Sequence, residues 1–208
     1  MSDALEKDTR ASTFSDNVVI STPTEERYQH FLQVLGMIQL SSACGGFLLR
    51  GGITIGDIVH DGEAVFGPAL IRAYDLERLH AQYPRVILDP EAIADFGKLP
   101  AVVVEEKGSY FIDPFHAGFI EWLSSLQKAD AVSDFIEAGI PAPTGLMRRM
   151  WDDNVLKAVL HILKQQIREP IEDKDWDKVA WLYDRIAGRL GVPPARSYPR
   201  ARPRDLVE

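Results

Sequence analysis

The stretch FSDNVVIS at residues 14–21 decides the predicted fold, because it places an acid, Asp16, just before an apolar strand. The β-branched run at residues 18–20 is typical of a buried strand. A second stretch, RGGITIGDIVH at residues 50–60, predicts a strand that runs into a glycine and then into another strand. An acid at a strand end beside a hairpin is one way to build a metal-dependent nucleotide site on a small sheet.

The sequence around these stretches predicts helices and strands in alternation. Apolar residues at three- and four-residue steps predict a helix over residues 25–44. The dipeptides Asp61-Gly62 and Lys107-Gly108 predict two hairpin turns. The remaining predictions, in chain order, are a loose start at 1–13, strands at 47–55 and 85–90, helices at 68–81, 91–96, 116–127 and 131–137, and two long antiparallel helices at 146–168 and 174–190.

The composition limits the kinds of ligand that we expect this chain to bind. The chain has 208 residues, 46% of them hydrophobic, which is enough for a globular domain of ordinary size with a core. Its formal net charge of −8 argues against a protein that coats nucleic acid, since phosphate binding needs a basic face. A single nucleotide stays compatible with that charge, because a metal ion can supply the positive charge.

The expected compartment is the cytoplasm. Cys44 is the only cysteine, so a disulfide framework within the chain is excluded and a reducing environment fits best. The first residues are acidic and polar, unlike a signal peptide. Apolar runs are too short to span a bilayer, so we expect no membrane partner.

In their order and spacing, the segments resemble the catalytic domain of class III nucleotidyl cyclases. The closest likeness is to the bacterial branch that includes the pyrimidine cyclases of anti-phage Pycsar systems. It covers residues 12–90 and rests on the two stretches above, on VFGPAL at 65–70 and on AYDLE at 73–77. The resemblance implies an α+β fold, a ferredoxin-like nucleotidyl-cyclase sandwich over residues 1–115. A helical extension at 116–192 and a Pro/Arg-rich tail at 193–208 follow.

The resemblance also implies a reaction. In such cyclases two aspartates hold Mg²⁺ or Mn²⁺ ions, and a nucleoside triphosphate becomes a 3′,5′-cyclic mononucleotide and pyrophosphate, here in anti-phage signalling. Asp16 matches the second of these aspartates and is the predicted catalytic and metal-binding residue. The predicted nucleotide-binding residues are Ser15, Asn17, Arg50, Glu63 and Arg72.

The chain departs from the family pattern at several positions. The first aspartate would lie on a strand roughly forty residues before Asp16, and under the enzyme hypothesis a longer natural start would supply it. The positions of the family's transition-state asparagine and arginine hold Ile71 and Asp75. The base-selecting positions hold Ala64 and Ser12, which leaves the preferred base open.

Two other functions remain open at this stage. One is a catalytically degenerate nucleotide-binding or dimerisation module, and the other is an interaction protein whose helices mediate assembly. Separately from these functions, each residue has a structural interpretation: Asp16 hydrogen-bonds a turn, Arg50 forms an outer-face ion pair, and His60 is solvated at a hairpin.

A homodimer is the expected assembly. Class III sites are shared between two domains, and a sheet without its first strand leaves an open edge. Residues 18–21 and 48–55 are predicted to be neighbouring strands in the middle of that sheet. The four tryptophans, Trp122, Trp151, Trp176 and Trp181, are candidate core or interface anchors.

Overall fold

The computed structural model describes residues 9–24, 28–62, 64–128, 155–169 and 171–199. These residues form a mixed arrangement of helices and small β-sheets. The strands are β1 (Arg10–Phe14), β2 (Asn17–Ser21), β3 (Gly51–Ile53), β4 (Val59–Asp61), β5 (Ala64–Phe66), β6 (Val86–Leu88), β7 (Val103–Glu106) and β8 (Ser109–Ile112). The helices are α1 (Tyr28–Cys44), α2 (Pro68–His80), α3 (Ala117–Lys128), α4 (Val155–Arg168) and α5 (Asp173–Leu190), followed by a 3₁₀ turn at Ala195–Ser197.

The strands form three separate sheets. The largest has the order β3-β6-β8-β7, with β3 and β6 parallel and the other neighbours antiparallel. The hairpins β1–β2 and β4–β5 each form a two-stranded ribbon. The hairpin turn predicted at Lys107-Gly108 is confirmed, whereas the one predicted at Asp61-Gly62 comes one residue later, because Asp61 still pairs with Ala64. The fold is therefore mixed α and β, which agrees with the α+β class.

The prediction that residues 18–21 lie beside residues 48–55 is wrong. Strand β2 pairs instead with β1, and Phe14 faces Asn17 across a two-residue turn. A partner this close in sequence closes the hairpin at a low entropy cost, which favours it over a distant strand. For the same reason residues 10–13 form a strand and not the predicted loose start.

Other boundaries also differ from the prediction. Val18 is 61% exposed, so the apolar run in β2 is not a buried strand. The strand predicted at 47–55 is shorter than expected and comprises only β3. Residues 91–96 form hydrogen-bonded turns where a helix was predicted. The helix predicted at 131–137 lies outside the described residues.

The main hydrophobic core joins the four-stranded sheet to helices from both ends of the chain. Strands β6 and β8 contribute Leu88 and Ile112, and both side chains are almost completely buried. Helices α1, α3, α4 and α5 pack their apolar faces into the same cluster with Leu32, Leu40, Phe119, Leu123, Val159, Leu163, Tyr183 and Ile186. The helices thus cover the apolar side of the sheet.

Helices α4 and α5 pack against each other as a helical hairpin, in agreement with the predicted pair over the residues the structure describes. The indole N–H of Trp176, on α5, donates to the carbonyl oxygen of Ile167, on α4, at 3.1 Å. Residues 146–154 of the predicted first helix lie outside the described range.

The chain after α5 folds back onto the helices, which corrects the prediction of an unstructured tail up to residue 199. The amide of Ala195 donates to the carboxylate of Asp184 at 2.6 Å. The hydroxyl of Tyr183 donates to that of Tyr198 at 3.2 Å, and Lys164 lies over the Tyr198 ring. The tail is therefore held by specific polar contacts.

Among the residues described, no helix is long and apolar enough to cross a membrane.

Helix α2 lies so close to β3 that only glycine fits at residue 52. A Cβ atom built on Gly52 would collide with the carbonyl oxygen of Ala73 and would approach the Leu76 Cβ to 2.7 Å. The Gly52→Ala variant should lower the free energy of unfolding by about 1–3 kcal/mol through overpacking. Urea unfolding followed by circular dichroism measures the change.

Gly188 provides the matched control. It lies exposed in helix α5, and a Cβ there would meet nothing within 4 Å. Gly188→Ala should raise the free energy of unfolding by about 0.5–1 kcal/mol, because alanine loses less backbone entropy in a helix. Equal effects of the two variants would contradict the close approach of α2 to β3.

Candidate functional site

The β1–β2 turn places Asp16 at an exposed tip. Ser15 and Asp16 are the two turn residues between Phe14 and Asn17, and Ser15 has a positive φ of 57°. The Asn17 side-chain amide donates to the Asp16 carboxylate at 3.1 Å. The Asn17 amide thus occupies one oxygen of the Asp16 carboxylate, and the Asp16 side chain is exposed to solvent. Asp16 can therefore accept a cation from solution.

The backbone conformation of Ser15 has a structural explanation in this fold. Lys107 occupies the first turn position of the β7–β8 hairpin with a similar φ of 52°. Tight two-residue hairpins commonly require positive φ at this position. The conformation of Ser15 thus follows from the hairpin itself, and it presents Asp16 at the tip.

Arg50 lies just before β3 and is paired with a carboxylate on α2. Its Nε atom is 2.6 Å from Glu77 Oε1, and the Arg50 side chain is nearly half exposed. Fully exposed ion pairs contribute about 0–1 kcal/mol, and this pair is partly buried on the carboxylate side. Because the Glu77 side chain is only 20% exposed, its carboxylate would lose a partner if Arg50 bound another anion.

Arg72, on α2, is held more firmly. Its Nε and one terminal nitrogen donate to the two oxygens of Asp89 at 2.8 and 2.7 Å, a bidentate arrangement. Glu91 Oε1 lies 3.1 Å from the same guanidinium. These carboxylates raise the pKa of Arg72, so its charge is permanent. Arg72 is better placed to fix the fold than to bind a phosphate.

Asp89 is buried at the end of β6 and fully hydrogen-bonded. Besides Arg72, the Thr54 hydroxyl donates to it at 2.7 Å and the Glu91 amide at 3.1 Å. Chiefly through the hydrogen bonds from Arg72, its pKa is lowered to about 2. With both oxygens committed, Asp89 has little capacity left for a metal ion.

His60 joins the two ribbons, and the prediction that it is solvated is wrong. Its side chain is buried, with Nε2 2.8 Å from the Ser12 hydroxyl and Nδ1 2.7 Å from the Ser21 hydroxyl. Ser12 donates its proton to the carbonyl of Gly62, so it must accept from Nε2–H. In the neutral ring, Nδ1 then accepts from Ser21. The Arg10 guanidinium adds a hydrogen bond to the His60 carbonyl oxygen.

The predicted site residues therefore fall into separate groups. Ser15, Asp16 and Asn17 share the β1–β2 turn, whereas Arg50 and Arg72 lie in ion pairs along α2. Glu63 lies outside the described residues. Across the part of the chain that the structure describes, no group of three or more His, Cys, Asp or Glu side chains could hold a metal ion.

A single carboxylate still fits a weakly held divalent cation. Mg²⁺ prefers oxygen ligands and keeps several waters, and it is often bound through one or two carboxylates together with substrate phosphates. Asp16 supplies one such ligand at the tip of the ribbon. The other ligands would have to come from water and from a triphosphate.

Sequence reasoning missed Asp89 and His60 as structural polar residues. Asp89 directly follows the apolar strand β6, which is a recognisable signal because acids at strand ends often bind neighbouring backbone or cations. No comparable feature of the sequence predicts that His60 is buried. Its two serine partners are 48 and 39 residues away in the sequence.

Comparisons with known proteins assign no family. No protein-family model, no curated protein and no solved structure matches the chain. The likeness to class III cyclases therefore rests on the motifs at residues 12–90 and remains a proposal.

Asp89 should make stability depend on pH in the acid range. Because its pKa is lowered in the folded state, the group stabilises the fold above its ordinary pKa and loses this contribution as pH falls towards about 2. Asp89→Asn should cost about 1–3 kcal/mol at neutral pH, since partners of the carboxylate lose hydrogen bonds. Urea unfolding between pH 7 and pH 3 should show a shallower acid loss in the variant than in the wild type.

Removing His60 should loosen the β1–β2 ribbon. His60→Ala deletes both ring hydrogen bonds and leaves Ser12 and Ser21 without them, so backbone amides of residues 10–21 should exchange with deuterium at least tenfold faster. Hydrogen exchange read by mass spectrometry measures this. The β7–β8 hairpin serves as the internal control, and equal acceleration there would mean global unfolding instead.

Proposed function

We propose that the chain is the nucleotide-binding part of a class III-like nucleotidyl cyclase. Its reaction would convert a nucleoside triphosphate into a 3′,5′-cyclic mononucleotide and pyrophosphate. The observation that carries the proposal is Asp16, an exposed acid at the tip of a hairpin that is followed by helix, strand, hairpin, helix and strand in the order of the family's segments. The likeness to the Pycsar branch supports anti-phage signalling as the proposed setting.

The proposed role of Asp16 is to hold a divalent ion that accompanies the triphosphate. Mg²⁺ or Mn²⁺ would neutralise phosphate charge and favour ionisation of the attacking ribose hydroxyl. Asn17 donates to one Asp16 oxygen and so orients the carboxylate. Ser15 shapes the turn that presents it.

Arg50 is the better of the two candidate phosphate ligands. The carboxylate paired with Arg50 is more exposed than the one paired with Arg72, at 20% against 4%, so a triphosphate could compete for Arg50 at lower cost. Arg72 would first have to leave a bidentate pair with buried Asp89. Breaking such a pair strands a buried charge, which is typically worth several kcal/mol.

A degenerate nucleotide-binding module is the second candidate. It is favoured by the commitment of Arg72 to Asp89 and by the lack, within the described ranges, of a carboxylate cluster with metal-binding geometry. The family's asparagine position holds Ile71, which cannot donate a hydrogen bond. Each missing electrostatic contact of this kind costs roughly a hundredfold to a thousandfold in rate.

The chain should bind a nucleoside triphosphate weakly with Mn²⁺ and turn it over very slowly or not at all. Asp16→Ala should weaken Mn²⁺-dependent binding at least tenfold, because it removes the only proposed metal ligand. Equilibrium titration with each of the four ribonucleoside triphosphates measures binding, and mass spectrometry detects cyclic products.

Asp57→Ala is the matched control, because Asp57 is an exposed aspartate outside the proposed site. It should bind as the wild type does. Cyclic product that depends on Asp16 would favour the enzyme, and Asp16-dependent binding without product would favour the degenerate module. Binding that is unchanged in Asp16→Ala would contradict both.

A further inference from the structure

Helix α4 presents a row of basic side chains on its outer face. Lys157, His161, Lys164 and Arg168 follow one another at steps of four, three and four residues, which places them on one side of the helix. Lys164 is partly exposed and the other three are exposed. The opposite side of α4 is buried in the main core. These four residues are called the α4 basic row below.

The charge of this region differs from that of the whole chain. Residues 155–168 and 195–204 contain seven of the 23 Lys and Arg residues and none of the 31 Asp and Glu residues. The formal net charge of −8 therefore includes a locally basic region. Attraction of a charged ligand depends on the local distribution of charge as well as on the total. The total charge argues against a protein that coats nucleic acid, but it does not exclude contact through one face.

The cations of the row are not neutralised within the part of the chain that the structure describes. Among those residues, Lys157, Lys164 and Arg168 form no ion pair with a carboxylate. By contrast, Arg78 on α2 and Lys178 on α5 each pair with an aspartate three residues earlier. An anion bound to the row would consequently not have to displace a described carboxylate.

The tail brings an aromatic ring to the same row. The Lys164 Nζ atom lies 4.3 Å from the centre of the Tyr198 ring, and the guanidinium carbon of Arg168 lies 5.6 Å from it. The Tyr183 hydroxyl donates to that of Tyr198 at 3.2 Å and so fixes the position of the ring. The Tyr198 side chain is partly exposed. Three further arginines follow in the sequence, at 200, 202 and 204, and lie outside the described residues.

Cations in a row beside a partly exposed ring form the combination that binds single-stranded nucleic acid. In such sites the cations follow the phosphate backbone, and an aromatic side chain stacks on a base. Neighbouring cations on one helix face are roughly 5–6 Å apart, so they can contact successive parts of an extended strand. Short arginine-rich segments such as residues 200–204 are also typical of nucleic-acid binding.

A lipid surface matches this face less closely. Helices that lie in a membrane interface insert large apolar side chains next to their basic residues. On α4, which the structure describes in full, none of the large apolar side chains is exposed. Apart from the row, the helix exposes Ala158 and Gln165. An acidic peptide would pair with the cations but would leave the Tyr198 ring without a base to stack on.

The described tryptophans do not provide an alternative stacking surface. Trp176 is buried in the core, and Trp181 stacks on Tyr83 with ring centroids 5.2 Å apart. Trp122 stacks on Phe119 with centroids 5.3 Å apart. Trp151 lies outside the described residues.

We propose that the α4 basic row and Tyr198 bind single-stranded nucleic acid. Lys157, Lys164 and Arg168 contact its phosphates, and the Tyr198 ring stacks on a base. The inference is independent of the proposed nucleotide site, because Asp16 lies on the β1–β2 ribbon and would act through a divalent ion. The basic row needs no metal ion.

Fluorescence anisotropy with labelled oligo-dT and oligo-U of about 20 nucleotides tests the proposal. The titrations contain EDTA, so that the proposed metal site cannot contribute. The wild type should bind, and log K should fall with log salt at a slope of about −2, as expected for three phosphate contacts on a single strand. The double variant Lys157→Gln/Arg168→Gln should bind at least tenfold more weakly.

The matched control is Lys98→Gln/Lys107→Gln, which removes the same charge from exposed lysines on other segments. It should bind within twofold of the wild type. Equal loss in the two double variants would mean general electrostatic attraction and would overturn the proposal. Thermal unfolding should show that both variants are folded.

Substitutions at Tyr198 test the stacking separately from the charge. Tyr198→Phe keeps the ring and should bind within twofold of the wild type, whereas Tyr198→Leu should bind at least fivefold more weakly. Equal binding by these two variants would contradict a stacked base. Tighter binding of duplex DNA, of anionic phospholipid vesicles or of poly-glutamate than of the single strands would also overturn the proposal, and each would identify a different partner.

Discussion

The buried carboxylate of Asp89 is the interaction on which the packing of α2 against the sheet depends. It accepts hydrogen bonds from Arg72 on α2, from Thr54 just after β3, and from the Glu91 amide. Strands β3 and β6 are each only three residues long, so their ladder offers few hydrogen bonds of its own. Asp89 adds polar cross-links between segments that the short strands hold only weakly. A buried carboxylate is tolerated there because each of its oxygens has donors.

The same packing decides what α2 shows to solvent. Gly52 lets the helix backbone approach β3, and the Arg72–Asp89 pair fixes the rotation of the helix about its axis. With Leu76 turned inward, Ile71 and Tyr74 must face outward. The exposed apolar surface is therefore a consequence of the interior contacts, and it does not arise from the exposed residues themselves.

Two aspartates with identical chemistry have opposite availability in this fold. Asp89 is buried and saturated with donors, which lowers its pKa and ties it to the structure. Asp16 lies at a hairpin tip and has one neighbouring amide as a partner. The environment, and not the residue type, thus separates an acid that stabilises the fold from one that can bind a cation. The β1–β2 ribbon that carries Asp16 is joined to the β4–β5 ribbon by the buried ring of His60.

The sequence by itself determined the local features of the protein. The hairpin that turns after Asp61, the turn at Lys107-Gly108 and the helix that begins at Pro68 follow from backbone preferences within a few residues. The tertiary structure alone decided that β2 pairs with β1, that His60 is buried, and that Asp89 captures Arg72. The physical reason is that burial and ion pairing depend on which distant segments meet. The packing of the whole core determines these contacts between segments, and the periodicity of a single stretch does not predict them.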